Sequence, residues 1–206
     1  MAKIIAIMQM KGGATKTTTS INILGALLES GKKTLLCDMD KDKPDAMLWV
    51  DFGQQLNKHV IPLFEENPKI VINDIINDSD YDYIILDTPP NMEAPALKAA
   101  MIADFIIIPC QPTELDKSSL SSASSAAMMA DKPFYFLPSR IFNNTKTSRH
   151  LVKDLGETNN CFNSKIYNSV DMIECQRYGT WIGEYKPDHK NHIEFRKLVK
   201  EIENLK

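Results

Sequence analysis

Ten consecutive residues, Met10-Lys11-Gly12-Gly13-Ala14-Thr15-Lys16-Thr17-Thr18-Thr19, combine two glycines, two lysines and a run of hydroxyls. That mixture suits an anion cradle. Gly12 and Gly13 let the backbone curl closely, so that its N–H groups and those of a following helix face an oxyanion. Lys16 is then placed to reach the β- and γ-phosphates of a nucleotide, and the Thr17 hydroxyl to hold Mg²⁺. Thr18 falls near the α-phosphate. The match to the common phosphate-loop pattern GxxxxGK[ST] is imperfect, because its glycines would stand at positions 10 and 15, where this chain has Met10 and Thr15.

Such a loop works only between a strand and a helix. Lys3–Met8 reads as an apolar strand, and a helix is expected from Thr17 to Glu29, stopped by Gly31. A second strand, Thr34–Cys37, ends in Asp38 and Asp40, and Pro44 starts a short helix through Ala46–Phe52. Val60–Phe64 is a minor strand and Ile70–Ile76 a short helix. Strand Tyr83–Leu86 ends in Asp87 and Pro89-Pro90. Helix Glu93–Ala103 leads to strand Phe105–Ile108, ended by Pro109; helix Lys117–Met129 leads to strand Phe134–Leu137. Helices Ser148–Gly156 and Val170–Arg177 flank a strand at Phe162–Ile166, and helix Ile193–Leu205 closes the chain. Short apolar strands alternating with helices predict an α/β fold, a mostly parallel sheet flanked by helices on both faces. The acids fall at the carboxyl ends of strands, where open sheets of this kind bind ligands. No linker or repeat divides the 206 residues, so 1–206 is expected to be a single P-loop NTPase-like domain.

Composition narrows the remaining classes. Hydrophobic residues make up 43% and charged residues 25%, an ordinary soluble balance. No apolar run reaches the roughly eighteen residues that would span a membrane, and no signal-peptide layout opens the chain, so the cytoplasm is the expected location. Cys37, Cys110, Cys161 and Cys175 make no CxxC pair and read as buried thiols. His59, His150, His189 and His192 are not patterned with acidic or cysteine ligands. Charge is uneven: residues 1–131 carry 11 basic and 18 acidic residues, net −7, and residues 132–206 carry 13 and 9, net +4. That asymmetry permits a basic face on the last third of the chain.

Lys11-Gly12-Gly13 followed by Lys16-Thr17 resembles the deviant Walker A loop of the ParA/MinD family of P-loop ATPases. The resemblance continues through Leu35-Leu36-Cys37-Asp38-Met39-Asp40, through Tyr81–Pro90, and through Ala103–Pro109 and Gln111–Asp116; it weakens after about residue 145. It implies ATP and Mg²⁺ as ligands. It implies that the backbone of Lys11, Gly12, Gly13, Ala14, Thr15, Lys16, Thr17 and Thr18 wraps the phosphates, with Pro112 bordering the nucleotide. Lys11 would reach across a nucleotide sandwich homodimer to the partner's phosphates. Asp40 would orient water near Mg²⁺, Asp38 would position that switch, and Asp87 would hold the Mg²⁺ shell, so that Thr17, Asp40 and Asp87 form the metal set. Two positions depart from the family. Thr15 replaces a glycine, so a Cβ must meet backbone angles that glycine tolerates, and Lys41-Asp42 replaces the usual Pro-Gln.

The resemblance implies slow, partner-stimulated hydrolysis of ATP to ADP and phosphate. The expected role is plasmid or chromosome partition: an ATP-bound homodimer on nonspecific DNA and the nucleoid, answering a ParB-like or other adaptor. The phosphate loop begins almost at once, as in short family members without an N-terminal helix-turn-helix. Arg140, Lys146, Arg149, Lys165, Arg177 and Lys186 are the candidate DNA contacts. A MinD-like membrane-positioning ATPase is the alternative, resting on the stripe Phe195, Leu198, Val199, Ile202 and Leu205. That stripe is expected to pack on the sheet instead, and a membrane is not an expected partner. A weakly hydrolysing cargo-positioning protein is the third reading.

Overall fold

The structure, a computed structural model, describes residues 2–13, 15–90, 94–112 and 117–205. Among these, six strands form one sheet: β1 (Lys3–Ile7), β2 (Thr34–Asp38), β3 (Val60–Pro62), β4 (Tyr83–Asp87), β5 (Phe105–Cys110) and β6 (Phe134–Pro138). Their order is β3-β2-β4-β1-β5-β6, and every pair is parallel. Strand side chains alternate between two cores. Ile5, Ile7, Leu36, Ile85 and Ile107 face one core, and Ala6, Leu35, Ile84 and Ile106 face the other. Burial on both faces is why these strands are continuously apolar rather than alternating.

The first core is closed by α1 (Lys16–Glu29), α2 (Asp45–Asp51), α7 (Asp171–Arg177), α8 (Ile182–Tyr185) and α9 (Lys190–Glu203). The second is closed by α3 (Pro68–Asp78), α4 (Ala94–Ile102), α5 (Lys117–Met129) and α6 (Lys146–Gly156). On α1, Gly25 lies under the Trp181 ring, where an added Cβ would stand 2.2 Å from Cγ of the indole. Glycine therefore costs α1 some helix propensity and gains it the docking of α8. The same contact is fixed by Ile182 N–H donating to Asn22 Oδ1 at 2.9 Å.

Two expectations change. Pro109 does not end its strand: β5 continues to Cys110, and Pro109 pairs with Leu137 of β6. Odd residues of β5 turn their backbone toward β1, as Met8 N–H donating to the Ile107 carbonyl shows, but the β1 ladder stops at Ile7. The missing proline N–H thus falls where no strand partner remains.

Residues 162–166 are not a strand. They run beside β6, with isolated bridges at Phe136–Cys161 and Ile141–Tyr167. Their outer side is bonded by α9 side chains instead of a ladder. The Glu201 carboxylate accepts from Asn163 N and Ser164 N at 2.8 and 2.9 Å, and Glu194 accepts from Lys165 N at 3.0 Å. Carboxylates here satisfy backbone donors at a sheet edge.

The apolar stripe of the last helix packs in the core, as expected. Phe195, Leu198, Val199 and Ile202 are buried in the first core with Leu205 packed against it. No helix among the described residues is long and apolar enough to cross a membrane.

Candidate nucleotide site

At the carboxyl ends of β1, β2 and β4 lies a cavity of about 420 Å³, at the edge where parallel α/β sheets bind ligands. The loop after β1 forms its floor, with Gly12, Gly13 and Thr15–Thr19 in the wall. Gln9 anchors the loop's start: its amide donates to the Pro109 carbonyl at 3.1 Å, and its Oε1 accepts from Met10 N at 2.8 Å. Gly13 sits at φ +75°, a left-handed conformation that glycine takes freely. Thr15, at φ 63° and ψ 17°, is left-handed too and is the N-cap of α1. Thr15 makes no side-chain cap, and no acid occupies the first turn of α1, so the positive end of the helix faces the cavity with no carboxylate of its own. Lys16, the first helical residue, is buried.

One acid meets this helix end, and a second stands close enough to act on it. Asp87 closes β4 and is 3% exposed. Its carboxylate accepts from Ser20 Oγ at 2.9 Å and from the Thr17 hydroxyl. Burial pushes the Asp87 carboxyl up to about 7; neighbouring Asp38 pushes the same way, while the two hydroxyls and Lys16 oppose it. Asp38, at the end of β2, is buried and raised to about 6, again chiefly by burial. It accepts from Asp40 N, Ala46 N and Met47 N at 3.1, 3.0 and 3.1 Å. Asp38 therefore ties the end of β2 to the first turn of α2 and holds the intervening turn. Asp40 lines the cavity, and its Oδ1 accepts from Lys43 N at 3.0 Å.

The donor set fits Mg²⁺. No group of three or more His, Cys, Asp or Glu able to cage a metal occurs among the described residues. Mg²⁺ keeps most of its shell for phosphate oxygens and water, and needs only a hydroxyl and one or two carboxylates from the protein. Thr17 beside a buried carboxylate that is reluctant to ionise supplies that set, and a divalent charge would offset the burial that raises Asp87.

Of the residues read from sequence, the structure brings Gly12, Gly13, Thr15, Lys16, Thr17, Thr18, Asp40 and Asp87 to one cavity. Lys11 is exposed beside it, outside the lining. Pro112 is buried and does not line it. Ala14 and residues 113–116 lie outside the described residues. Of the basic candidates, Arg140 lines the cavity, whereas Arg177 and Lys186 are engaged by Glu174 and Asp171 at 3.6 and 2.9 Å.

The far wall was not legible beforehand. Ile166–Ser169, Met172, Ile173 and Gln176 form it, and Trp49 and Lys43 join from the α2 side. This wall is fastened from behind. Asn191 pairs with both backbone groups of Tyr167, at 2.7 and 2.8 Å, and Trp49 Nε1 donates to the Thr180 carbonyl at 2.9 Å. Gln111 was also missed as a site residue. Its position just past β5, at the ligand edge of the sheet, was the available signal.

A family model described as AAA domain matches residues 2–76 and 55–126, more than half of the chain. The chain is 33% identical over 115 residues to the maintenance of carboxysome distribution protein A of Halothiobacillus neapolitanus, covering 54% of this chain and 52% of that one. It is 28% identical over 149 residues to the chromosome partitioning protein ParA of Myxococcus xanthus, covering 54% and 53%. The matches thus span about half the length of each of these two relatives. Among solved structures, the septum site-determining protein MinD of Pyrococcus horikoshii, complexed with Mg-ADP, superposes with a TM-score of 0.78 at 21% identity, covering 99% of this chain and 97% of that one. At that identity the likeness is one of fold.

Proposed function

The chain belongs to the ParA/MinD family of P-loop ATPases, and from that premise we propose that it binds Mg-ATP in the cavity after β1 and hydrolyses it slowly as a dimerisation switch. The observation that carries this is the convergence of buried Lys16, Thr17 and buried Asp87 on the uncapped amino end of α1. The reading takes residues 1–206 as one cytoplasmic ATPase domain.

Water attacks the γ-phosphorus while the bond to the β–γ bridging oxygen breaks, releasing ADP and phosphate, with the water proton ending on phosphate. Lys16 and the amides of the loop neutralise charge that grows on the phosphoryl oxygens. Asp40, placed in the cavity wall by the turn that Asp38 holds, orients the attacking water. Thr17 and Asp87 would hold Mg²⁺, which when bound would supply further charge neutralisation. Lys11, exposed at the rim, serves the phosphates of a second copy. A site completed only by a partner stays slow until the homodimer and an adaptor order it.

The role we propose is partition: the ATP-bound homodimer rests on nonspecific DNA of the nucleoid and answers a ParB-like or other adaptor. The similarity to the Myxococcus partitioning protein supports this. The Halothiobacillus protein, named for carboxysome distribution, supports a second reading in which the same switch positions a different cargo. Turnover and DNA retention, measured for wild type, Lys11→Ala and Lys16→Ala, test the proposal. Both variants should lose about a hundredfold or more in turnover, and Lys16→Ala should also lose ATP-dependent DNA retention. Full ATP-dependent behaviour in both variants would sink these roles. Turnover without DNA retention in the wild type would favour the other cargo.

A further inference from the structure

Gln111 is 3% exposed, and its side-chain amide spans two parts of the cavity. Nε2 donates to the Gly13 carbonyl at 2.8 Å, and Oε1 accepts from Arg140 Nη1 at 3.3 Å. The partners dictate this orientation, because a carbonyl only accepts and a guanidinium only donates. Arg140 lines the cavity from the loop after β6, at φ 49°, a left-handed conformation unfavourable for a residue with a Cβ. Its Nε reaches Asn168 Oδ1, in the far wall, at 3.5 Å. One buried amide thus links the phosphate loop to the wall opposite.

We propose that Gln111 is a positioning residue that couples the two ends of the nucleotide cavity, holding the Gly13 carbonyl away from the phosphates while fixing Arg140 in the wall. The inference rests on the nucleotide-cradle reading. A carbonyl in a phosphate loop is a hazard, since turned inward it presents partial negative charge to the anion. The Gln111 amide removes it from that choice. The left-handed Arg140 backbone is held by its neighbours, with Ser139 N–H donating to the Cys110 carbonyl at 2.7 Å and Ile141 N–H to the Ile166 carbonyl at 2.9 Å, and Gln111 Oε1 fixes the guanidinium that this backbone projects. Nucleotide that packs the far wall at Asn168 is then felt at the loop through a chain of three hydrogen bonds.

Calorimetric titration with Mg-ATP tests this in the wild type, Gln111→Leu, Gln111→Glu, Arg140→Met and the double variant Gln111→Leu/Arg140→Met. Gln111→Leu removes both hydrogen bonds, and a loss in binding of about tenfold, the scale of a net hydrogen bond, is expected. Gln111→Glu keeps an acceptor for Arg140 and sets an oxygen against the Gly13 carbonyl, so it should bind at least as weakly as Gln111→Leu. The double variant should lose less than the product of the two single losses, which is the signature of coupling that a merely structural role would not produce. Wild-type affinity in Gln111→Glu, or single losses that multiply in the double variant, would overturn the inference alone. Absence of Mg-ATP binding in the wild type would overturn the nucleotide reading and this inference with it. If Gln111→Leu does not fold, Gln111→Glu decides the donor role.

Discussion

Thr15 holds a conformation that costs a residue with a Cβ roughly 1–2 kcal/mol relative to its right-handed alternative, at φ 63° and ψ 17°. The adjoining helix fixes that geometry, with Thr19 N–H donating to the Thr15 carbonyl at 2.9 Å. Glycine would take the same angles without strain but would bring a more flexible unfolded chain. The two effects leave Thr15→Gly more stable by about 1 kcal/mol at most. The larger consequence is expected in turnover: without the Cβ the loop closes on phosphates more readily, and ATP hydrolysis should rise severalfold. A turnover assay together with denaturant unfolding measures both. A Thr15→Gly variant no faster than wild type would show that Thr15 does not slow the site. The departure from glycine was visible in the sequence, since it is a statement about one residue's allowed angles. Gln111 and Arg140 were not legible as site residues, because their meaning lies in contacts 98 and 29 residues away along the chain.

Among elements, β1, β2, β4, β5 and β6 were legible to within a residue or two, because a strand buried on both faces writes itself as a short apolar run. Helix α8 and the irregular edge at 162–166 were not, since their backbone partners are side chains of α1 and α9. Helix α9 also carries a titratable cap. His189 precedes it and accepts from Asn191 N–H on Nδ1 at 3.0 Å, which requires that nitrogen to be unprotonated. Nε2 lies 3.0 Å from Ser169 Oγ and 3.5 Å from Asp171 Oδ2, in and beside the cavity wall. Burial lowers the His189 pKa and Lys186 adds to it, against Asp171. The sign follows. Below about pH 6.5 the unfolded chain takes up a proton that the folded imidazole resists, so this contribution is fully present above that pH and lost as pH falls toward the folded value. Asp38 and Asp87, with raised values, act in the opposite sense. The difference between wild type and His189→Asn isolates the histidine, since asparagine caps a helix without titrating. Melting temperatures between pH 5 and 8 should show the wild type losing more on acidification than the variant. Parallel curves would remove His189 from the cap's pH response.

For the molecule as a whole, the sequence showed a basic last third but not where that charge sits. Folding sorts it. Arg140 turns into the cavity wall, and Arg177 and Lys186 pair with acids. On α6, Ser148, Leu151 and Leu155 are buried, and Lys146, Arg149, His150 and Lys153 form an exposed row at helical spacing. Lys153 stands 4.0 Å from Glu157. The α6 row is therefore the surface on which the proposed DNA retention should depend. Phosphate contacts of this kind release counterions, each lowering the slope of log affinity against log salt by about 0.9. Lys146→Ala/Arg149→Ala should weaken binding of the ATP-bound protein to duplexes of any sequence and flatten that slope by about two contacts. Arg177→Ala and Lys186→Ala should leave the slope unchanged, because their charge is already met within the fold. Fluorescence anisotropy across a salt series in the presence of Mg-ATP reads all three variants. An unchanged slope in the α6 variant, with a reduced one in either paired-residue variant, would move the DNA surface from α6 to the face carrying α7.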